Sequence, residues 1–93
     1  MKARWNGVVV AESYQSRFVE GKHYFPPDAL RSKYFEESST RNVIPSKGTA
    51  HYYTLKVGDR RNPDAAWYYV DTTDAAKRIE GYVVFGEGVE VSP

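Results

Sequence analysis

Two aromatic-rich segments decide the fold: TAHYYTLKV at residues 49–57 and AAWYYV at residues 65–70. In the first segment, Tyr53, Leu55 and Val57 alternate with more polar neighbours, which is the two-residue period of a strand with one buried face. The second segment carries bulky side chains at both parities, which predicts a strand covered on both faces. Turn residues lie between them, so we expect the two strands to pair antiparallel.

The rest of the chain also favours short strands. Asn6-Gly7 is the preferred pair for a two-residue type I′ turn, and it predicts a hairpin over residues 3–12 with Trp5 opposite Val8. Further strands are predicted at residues 18–20, 42–44, 82–85 and 89–91. The last two are expected to form a hairpin. The fold class is therefore mainly β, with two antiparallel sheets and one or two short helices.

Two segments predict helices. Pro27 followed by Asp28 is typical of a helix start, and we expect about two turns as far as Tyr34. A second short helix is predicted over residues 73–78, capped by Asp71 or Thr72. Residues 36–40 are polar and are expected to form a loop.

Composition excludes several functions. A length of 93 residues predicts one domain, residues 1–93, and a net charge of +1 makes a nucleic-acid or membrane partner unexpected. The absence of cysteine removes disulfides, thiolate nucleophiles and Cys-ligated zinc sites. The N-terminal residues lack the apolar stretch of a signal peptide, so a cytoplasmic location is expected. No pattern indicates an oligomeric state.

Four segments together resemble the DUF427 family: EGKHYFPP at residues 20–27, PSKGTAHYY at 45–53, NPDAAWYY at 62–69 and IEGYVVF at 79–85. With the opening MKARWNG, they cover nearly the whole chain in matching order and spacing. The resemblance implies a β-tent-like fold of two antiparallel sheets meeting at an angle, similar to zinc-binding β-tent proteins. The family has no characterised catalytic residues to transfer, although it is sometimes labelled a nucleotidyltransferase domain.

This chain departs from the family pattern where Ile44-Pro45-Ser46 replaces the frequent Cys-Pro-Trp, and where Val70 replaces a frequent proline. The first departure puts any thiol-based activity in doubt. No spacing indicates a metal site, because the two histidines, His23 and His51, lie far apart in sequence. The acidic pairs that nucleotidyl transfer needs around divalent metal are also missing. We therefore expect no cofactor and no metal.

The aromatic residues leave one candidate site. A concave, aromatic sheet face edged by polar groups would form a cleft for a small anionic molecule, because Lys47 and the amides around Gly48 suit one anionic group. The predicted lining is Tyr24, Tyr53, Trp67, Lys47, His51 and Glu20. Three alternatives stay open: aromatic pairs that only pack, an enzyme with His51 as base and Lys47 as electrostatic stabiliser, and a protein-interaction module.

Overall fold

The computed structural model describes residues 1–93 and confirms a mainly β protein with only short helical turns. The strands are β1 (Lys2–Trp5), β2 (Val8–Glu12), β3 (Arg17–Val19), β4 (Lys22–Tyr24), β5 (Phe35–Ile44), β6 (Gly48–Val57), β7 (Arg60–Val70), β8 (Val83–Phe85) and β9 (Glu90–Ser92). The helical segments are three 3₁₀ helices, at Pro27–Ala29, Ser32–Tyr34 and Asp74–Ile79.

All strand pairs are antiparallel. The main sheet has the order β5-β6-β7-β8, the small sheet has the order β2-β1-β9, and β3 and β4 form a separate hairpin. The type I′ turn of the first hairpin is confirmed, because Asn6 and Gly7 both have positive φ and Trp5 pairs with Val8. The hairpin β3-β4 continues into the main sheet, where Phe25 bridges Val83 with two backbone hydrogen bonds of 2.8 and 2.7 Å.

The pairing of β6 with β7 confirms the antiparallel arrangement predicted from the two aromatic segments. Directly paired residues share a face of the sheet, so the register assigns every ring to one side. His51 pairs with Tyr68, whereas Tyr52 pairs with Trp67. We call the side that carries His51, Tyr53, Ala66, Tyr68 and Phe85 the Tyr68 face, and the side that carries Ala50, Tyr52, Trp67, Tyr69 and Val84 the Trp67 face.

Each face of the main sheet has its own hydrophobic core. On the Tyr68 face, Phe85 and Leu55 pack with Val10 and other residues of the small sheet. On the Trp67 face, Tyr69 packs with Ile79 of the last 3₁₀ helix and with Tyr24 of the hairpin, among others. The main sheet is therefore covered on both sides, and this burial stabilises the fold by about 1.5–3 kcal/mol for each large side chain fully removed from water.

The two helical turns predicted at residues 27–34 are present, but they do not form one continuous helix. Two separate 3₁₀ helices stand there, divided by Leu30, whose φ of −77° and ψ of 136° are extended. Leu30 bridges Ala11 of β2, and the backbone N–H of Arg31 donates to the carbonyl of Val10 at 2.9 Å. Pairing with β2 thus replaces the backbone hydrogen bonds that would have continued a helix.

The predicted polar loop at residues 36–40 is also wrong, because β5 runs through it from Phe35 to Ile44. β5 is an edge strand, and its pairing with β6 is irregular between Glu37 and Arg41. An exposed edge tolerates polar side chains, and a bulge there discourages pairing with another chain. The polar composition of residues 36–40 therefore reflects their exposure on an edge strand and not the absence of a strand.

Three further features of the fold differ from the prediction. The turn before β7 contains only Gly58 and Asp59, since β7 already begins at Arg60 and accommodates Pro63 beside a register shift. The predicted helix at residues 73–78 is a 3₁₀ helix, and no side chain caps its N-terminus. The predicted closing hairpin does not form: β8 belongs to the main sheet, and β9 pairs with β1.

Candidate functional site

The turn that carries Lys47 is built by tight backbone packing. The backbone N–H of Lys47 donates to the carbonyl of Ile44 at 2.9 Å, which closes the turn between β5 and β6. Gly48 follows with a φ of 142°, and a Cβ on it would lie 2.6 Å from the carbonyl oxygen of Val70. Only glycine fits this backbone and this close approach, so Gly48 fixes where the Lys47 side chain leaves the sheet.

Thr73 holds the same turn from the other side. Its backbone N–H donates to the carbonyl of Lys47 at 3.0 Å, and its hydroxyl donates to the carbonyl of Ser46 at 3.0 Å. Thr73 also immediately precedes the 3₁₀ helix Asp74–Ile79. One residue therefore positions both the Lys47 turn and the helix beside it.

The ammonium of Lys47 meets the carboxylate of Glu20. The Lys47 Nζ atom lies 3.3 Å from Oε1 and 3.4 Å from Oε2 of Glu20. The two partners are exposed very differently, since the Lys47 side chain is 17% exposed and the Glu20 side chain 71%. Glu20 and Gly21 have φ values of 51° and 81°, and they form the tight turn of the β3-β4 hairpin. That turn places an exposed carboxylate over a largely sheltered cation.

A cavity of 340 Å³ opens beside this ion pair, and we call it the Lys47 cavity. Val19 of the hairpin, together with Ala76 and Ile79 of the last 3₁₀ helix, gives it apolar surface; Ala76 and Ile79 are themselves buried. The full lining is Phe18, Val19, Glu20, Ser46, Lys47, Ala75, Ala76, Arg78 and Ile79. The cavity is amphipathic, with charged groups beside an apolar surface.

An arginine contact links the two walls of the Lys47 cavity. The guanidinium of Arg17 in β3 donates a hydrogen bond to the carbonyl of Arg78 in the 3₁₀ helix. The same guanidinium lies over the ring of Tyr82, 4.7 Å from its centre, at cation–π distance. The hairpin and the helix are thereby held as opposite sides of one opening.

Among the predicted site residues, Lys47 and Glu20 come together in the Lys47 cavity. Tyr24 lies on the same side of the main sheet, but it is buried in the core. Burial, chiefly, together with Tyr69 and Glu20 nearby, raises the pKa of Tyr24 to about 12. Its phenol is therefore neutral in the folded protein under ordinary conditions.

Trp67 lies on the same side of the main sheet as Tyr24, but it borders a different cavity, of 450 Å³, that includes Lys22. Its indole N–H donates to the phenolic oxygen of Tyr69 at 3.2 Å, and its ring centre lies 5.7 Å from that of Tyr52. The Lys22 ammonium stands 5.8 Å from the Trp67 ring centre. Packing and hydrogen bonding therefore account for much of the Trp67 environment.

His51 and Tyr53 lie on the opposite, Tyr68 face of the sheet. The Tyr68 ring centre is 5.6 Å from that of His51 and 5.2 Å from that of Tyr53. Burial, together with Tyr68 and Glu37, raises the pKa of Tyr53. The structure does not bring all the predicted residues into one cleft, and it separates His51 from Lys47 by the thickness of the sheet.

The sequence interpretation missed the apolar lining of the Lys47 cavity. Val19, Ala76 and Ile79 come from a hairpin and a 3₁₀ helix that are far apart in the chain. Small and aliphatic residues in short elements are ordinary core material, so no local pattern marks them as a binding surface. The one usable signal was the predicted helix after β7, whose apolar side had to pack against something.

The described residues contain no cluster of three or more His, Cys, Asp or Glu side chains placed to hold a metal ion. None of the helical segments has the length and apolar character needed to cross a membrane.

The fold and the cavity define a small antiparallel β protein with an amphipathic pocket between a hairpin and a 3₁₀ helix. The chain belongs to the DUF427 family: a family model described as a domain of unknown function matches residues 1–92. This confirms the resemblance carried by the sequence segments. No curated protein matches the chain.

Proposed function

We propose that this protein binds a small anionic molecule in the Lys47 cavity. The observation that carries the proposal is the sheltered ammonium of Lys47 beside a cavity with apolar walls. Small-molecule sites are typically concave, largely apolar, and supplied with a few fixed polar groups that orient the ligand. The Lys47 cavity is concave, combines apolar with polar lining, and contains one sheltered ammonium held on a fixed turn.

The position of Lys47 supports binding because its backbone is held before any ligand arrives. Gly48 packs against Val70, and Thr73 donates hydrogen bonds to the carbonyls of Ser46 and Lys47. A preorganised cation loses little further freedom on binding, and this favours affinity.

The proposal narrows the site expected from the sequence. Lys47 would contact the negative charge of the ligand, Glu20 would stand at the mouth of the cavity, and Tyr24 would support the cavity from the core. Trp67, His51 and Tyr53 stand outside the Lys47 cavity. This arrangement does not support an enzyme in which His51 and Lys47 act together, because the two side chains lie on opposite sides of the sheet. The cytoplasmic location stays a prediction.

A thermal-shift screen of small carboxylates, phosphates and nucleotides tests the proposal. A ligand present at one hundred times its dissociation constant stabilises the folded state by about 2.7 kcal/mol, which is readily seen as a rise in Tm. We expect a rise with at least one anion, and its loss in Lys47→Met. Lys56→Met, which removes an exposed lysine from β6, is the matched control and should keep the response. A Tm that no anion raises would contradict the proposal.

A further inference from the structure

We propose that the ligand of the Lys47 cavity is a monocarboxylate with a short apolar chain or ring. In the ligand-free protein, the Glu20 carboxylate occupies the position that the carboxylate of the ligand takes on binding. This inference rests on the proposed function. It names the class of ligand and explains why the cavity carries an acidic residue at its charged end.

The contact between Glu20 and Lys47 is the first support. Both carboxylate oxygens of Glu20 lie within 3.4 Å of the Lys47 ammonium, so this cation already accommodates a carboxylate. The Lys47 side chain is 17% exposed, whereas that of Glu20 is 71% exposed and stands on a hairpin turn. The cation is thus the fixed partner and the carboxylate the replaceable one.

Exchange of one carboxylate for another is energetically easy here. Ion pairs with an exposed partner contribute little to stability, because water solvates the freed charge well. A ligand carboxylate would meet the same ammonium, and its apolar part would cover Val19, Ala76 and Ile79. Burying that apolar part supplies a gain that Glu20 itself cannot supply.

The remaining charge near Lys47 favours a monoanion. After displacement, Glu20 stays close to the cavity mouth, since its backbone is fixed in the turn with Gly21. The charged residues that line the cavity are Lys47, Arg78 and Glu20, which together carry a net charge of +1. A monocarboxylate balances this charge, whereas the two negative charges of a phosphate would leave an excess beside Glu20.

The size of the cavity limits the apolar part. A water-sized group occupies about 30 Å³ in the liquid, so a cavity of 340 Å³ holds on the order of ten such groups. A chain of about six carbons or a single aromatic ring attached to a carboxylate fits within that limit. Longer chains would project into solvent.

Isothermal titration calorimetry at neutral pH with hexanoate, hexyl phosphate and hexanol tests the inference on the wild-type protein, Glu20→Gln and Lys47→Met. We expect hexanoate to bind the wild type, and to bind Glu20→Gln about two- to five-fold more tightly because the competing carboxylate is gone. Lys47→Met should abolish detectable binding. Glu87→Gln, at an exposed position on another cavity, should bind like the wild type.

Each contrary outcome points to a different failure. Hexyl phosphate binding more tightly than hexanoate, or equal affinity of Glu20→Gln and wild type for hexanoate, would overturn the monocarboxylate inference while leaving anion binding intact. Hexanol binding as well as hexanoate would overturn the role of the charge. No binding of any probe to either the wild type or Glu20→Gln would overturn the monocarboxylate inference, and the thermal-shift screen would then decide whether the proposed function falls with it.

Discussion

The backbone of Gly48 lies so close to Val70 that a Cβ on residue 48 would stand 2.6 Å from the Val70 carbonyl oxygen. The two residues belong to neighbouring strands, β6 and β7, and Gly48 also has a φ of 142°. The close contact sets the start of β6 and, with it, the position of Lys47. Disturbing it should therefore affect both stability and binding.

Gly48→Ala should destabilise the protein by roughly 2–4 kcal/mol, because the added methyl group meets backbone atoms that cannot move aside cheaply. Gly21→Ala is the matched control: Gly21 also has a positive φ, 81°, but a Cβ on it would have no atom within 4 Å. This change should cost only about 1 kcal/mol of backbone strain. Urea unfolding measures both, and equal losses would contradict the steric explanation.

Thr73→Val should lower the free energy of unfolding by about 1 kcal/mol, since it removes the hydroxyl that donates to the Ser46 carbonyl while keeping the branched shape. It should also weaken ligand binding, because the Lys47 turn loses one of its supports. Thr73→Ser retains the hydroxyl and should retain most of the stability and the affinity. A Thr73→Val variant as stable as the wild type, together with an impaired Thr73→Ser, would show that the methyl group and not the hydrogen bond matters.

Tyr24 should make the protein sensitive to alkali. Its pKa is raised, mainly by burial, from 10.0 to about 12, so the folded state prefers the neutral phenol. This contribution to stability is fully present below pH 10 and is lost as the pH rises through 10 towards about 12. Urea unfolding of the wild type and Tyr24→Phe across this range should show a steeper loss in the wild type. Parallel pH profiles would contradict the assignment.

The hydrogen bond from Trp67 to Tyr69 predicts coupling between these two side chains, whose N–H and hydroxyl groups are 3.2 Å apart. A double-mutant cycle with Trp67→Phe and Tyr69→Phe should give an interaction free energy of about 0.5–1.5 kcal/mol. Strictly additive losses would mean that the bond contributes nothing beyond packing.

The strand pairing at the centre of this fold follows from the sequence because alternation and turn chemistry act locally. The period of Tyr53, Leu55 and Val57 identifies β6, and Asn6-Gly7 identifies the first hairpin. The predictions fail where residues distant in the sequence determine the local backbone conformation. Leu30 is extended because it bridges Ala11, and neither residue carries a local sign of the other.

The candidate site likewise has one residue that the sequence could identify and others that it could not assign. Lys47 was predictable, since a lysine beside a glycine turn is a recognisable place for an anion. Which residues would join it depended on the register, and a single position decides whether a ring faces the Lys47 side or the opposite one. Tyr52 and Tyr53 are adjacent, yet their side chains lie on opposite faces of the sheet. The sequence alone therefore could not show whether His51 and Tyr53 lie on the cavity side.

The most direct test of binding in the Lys47 cavity is a ¹H–¹⁵N NMR titration of the folded protein with hexanoate. Binding there predicts saturable shift changes concentrated at residues 18–20, 46–48 and 75–79, and their absence in Lys47→Met. Shift changes centred on His51 and Tyr68, or none at saturating hexanoate, would contradict it.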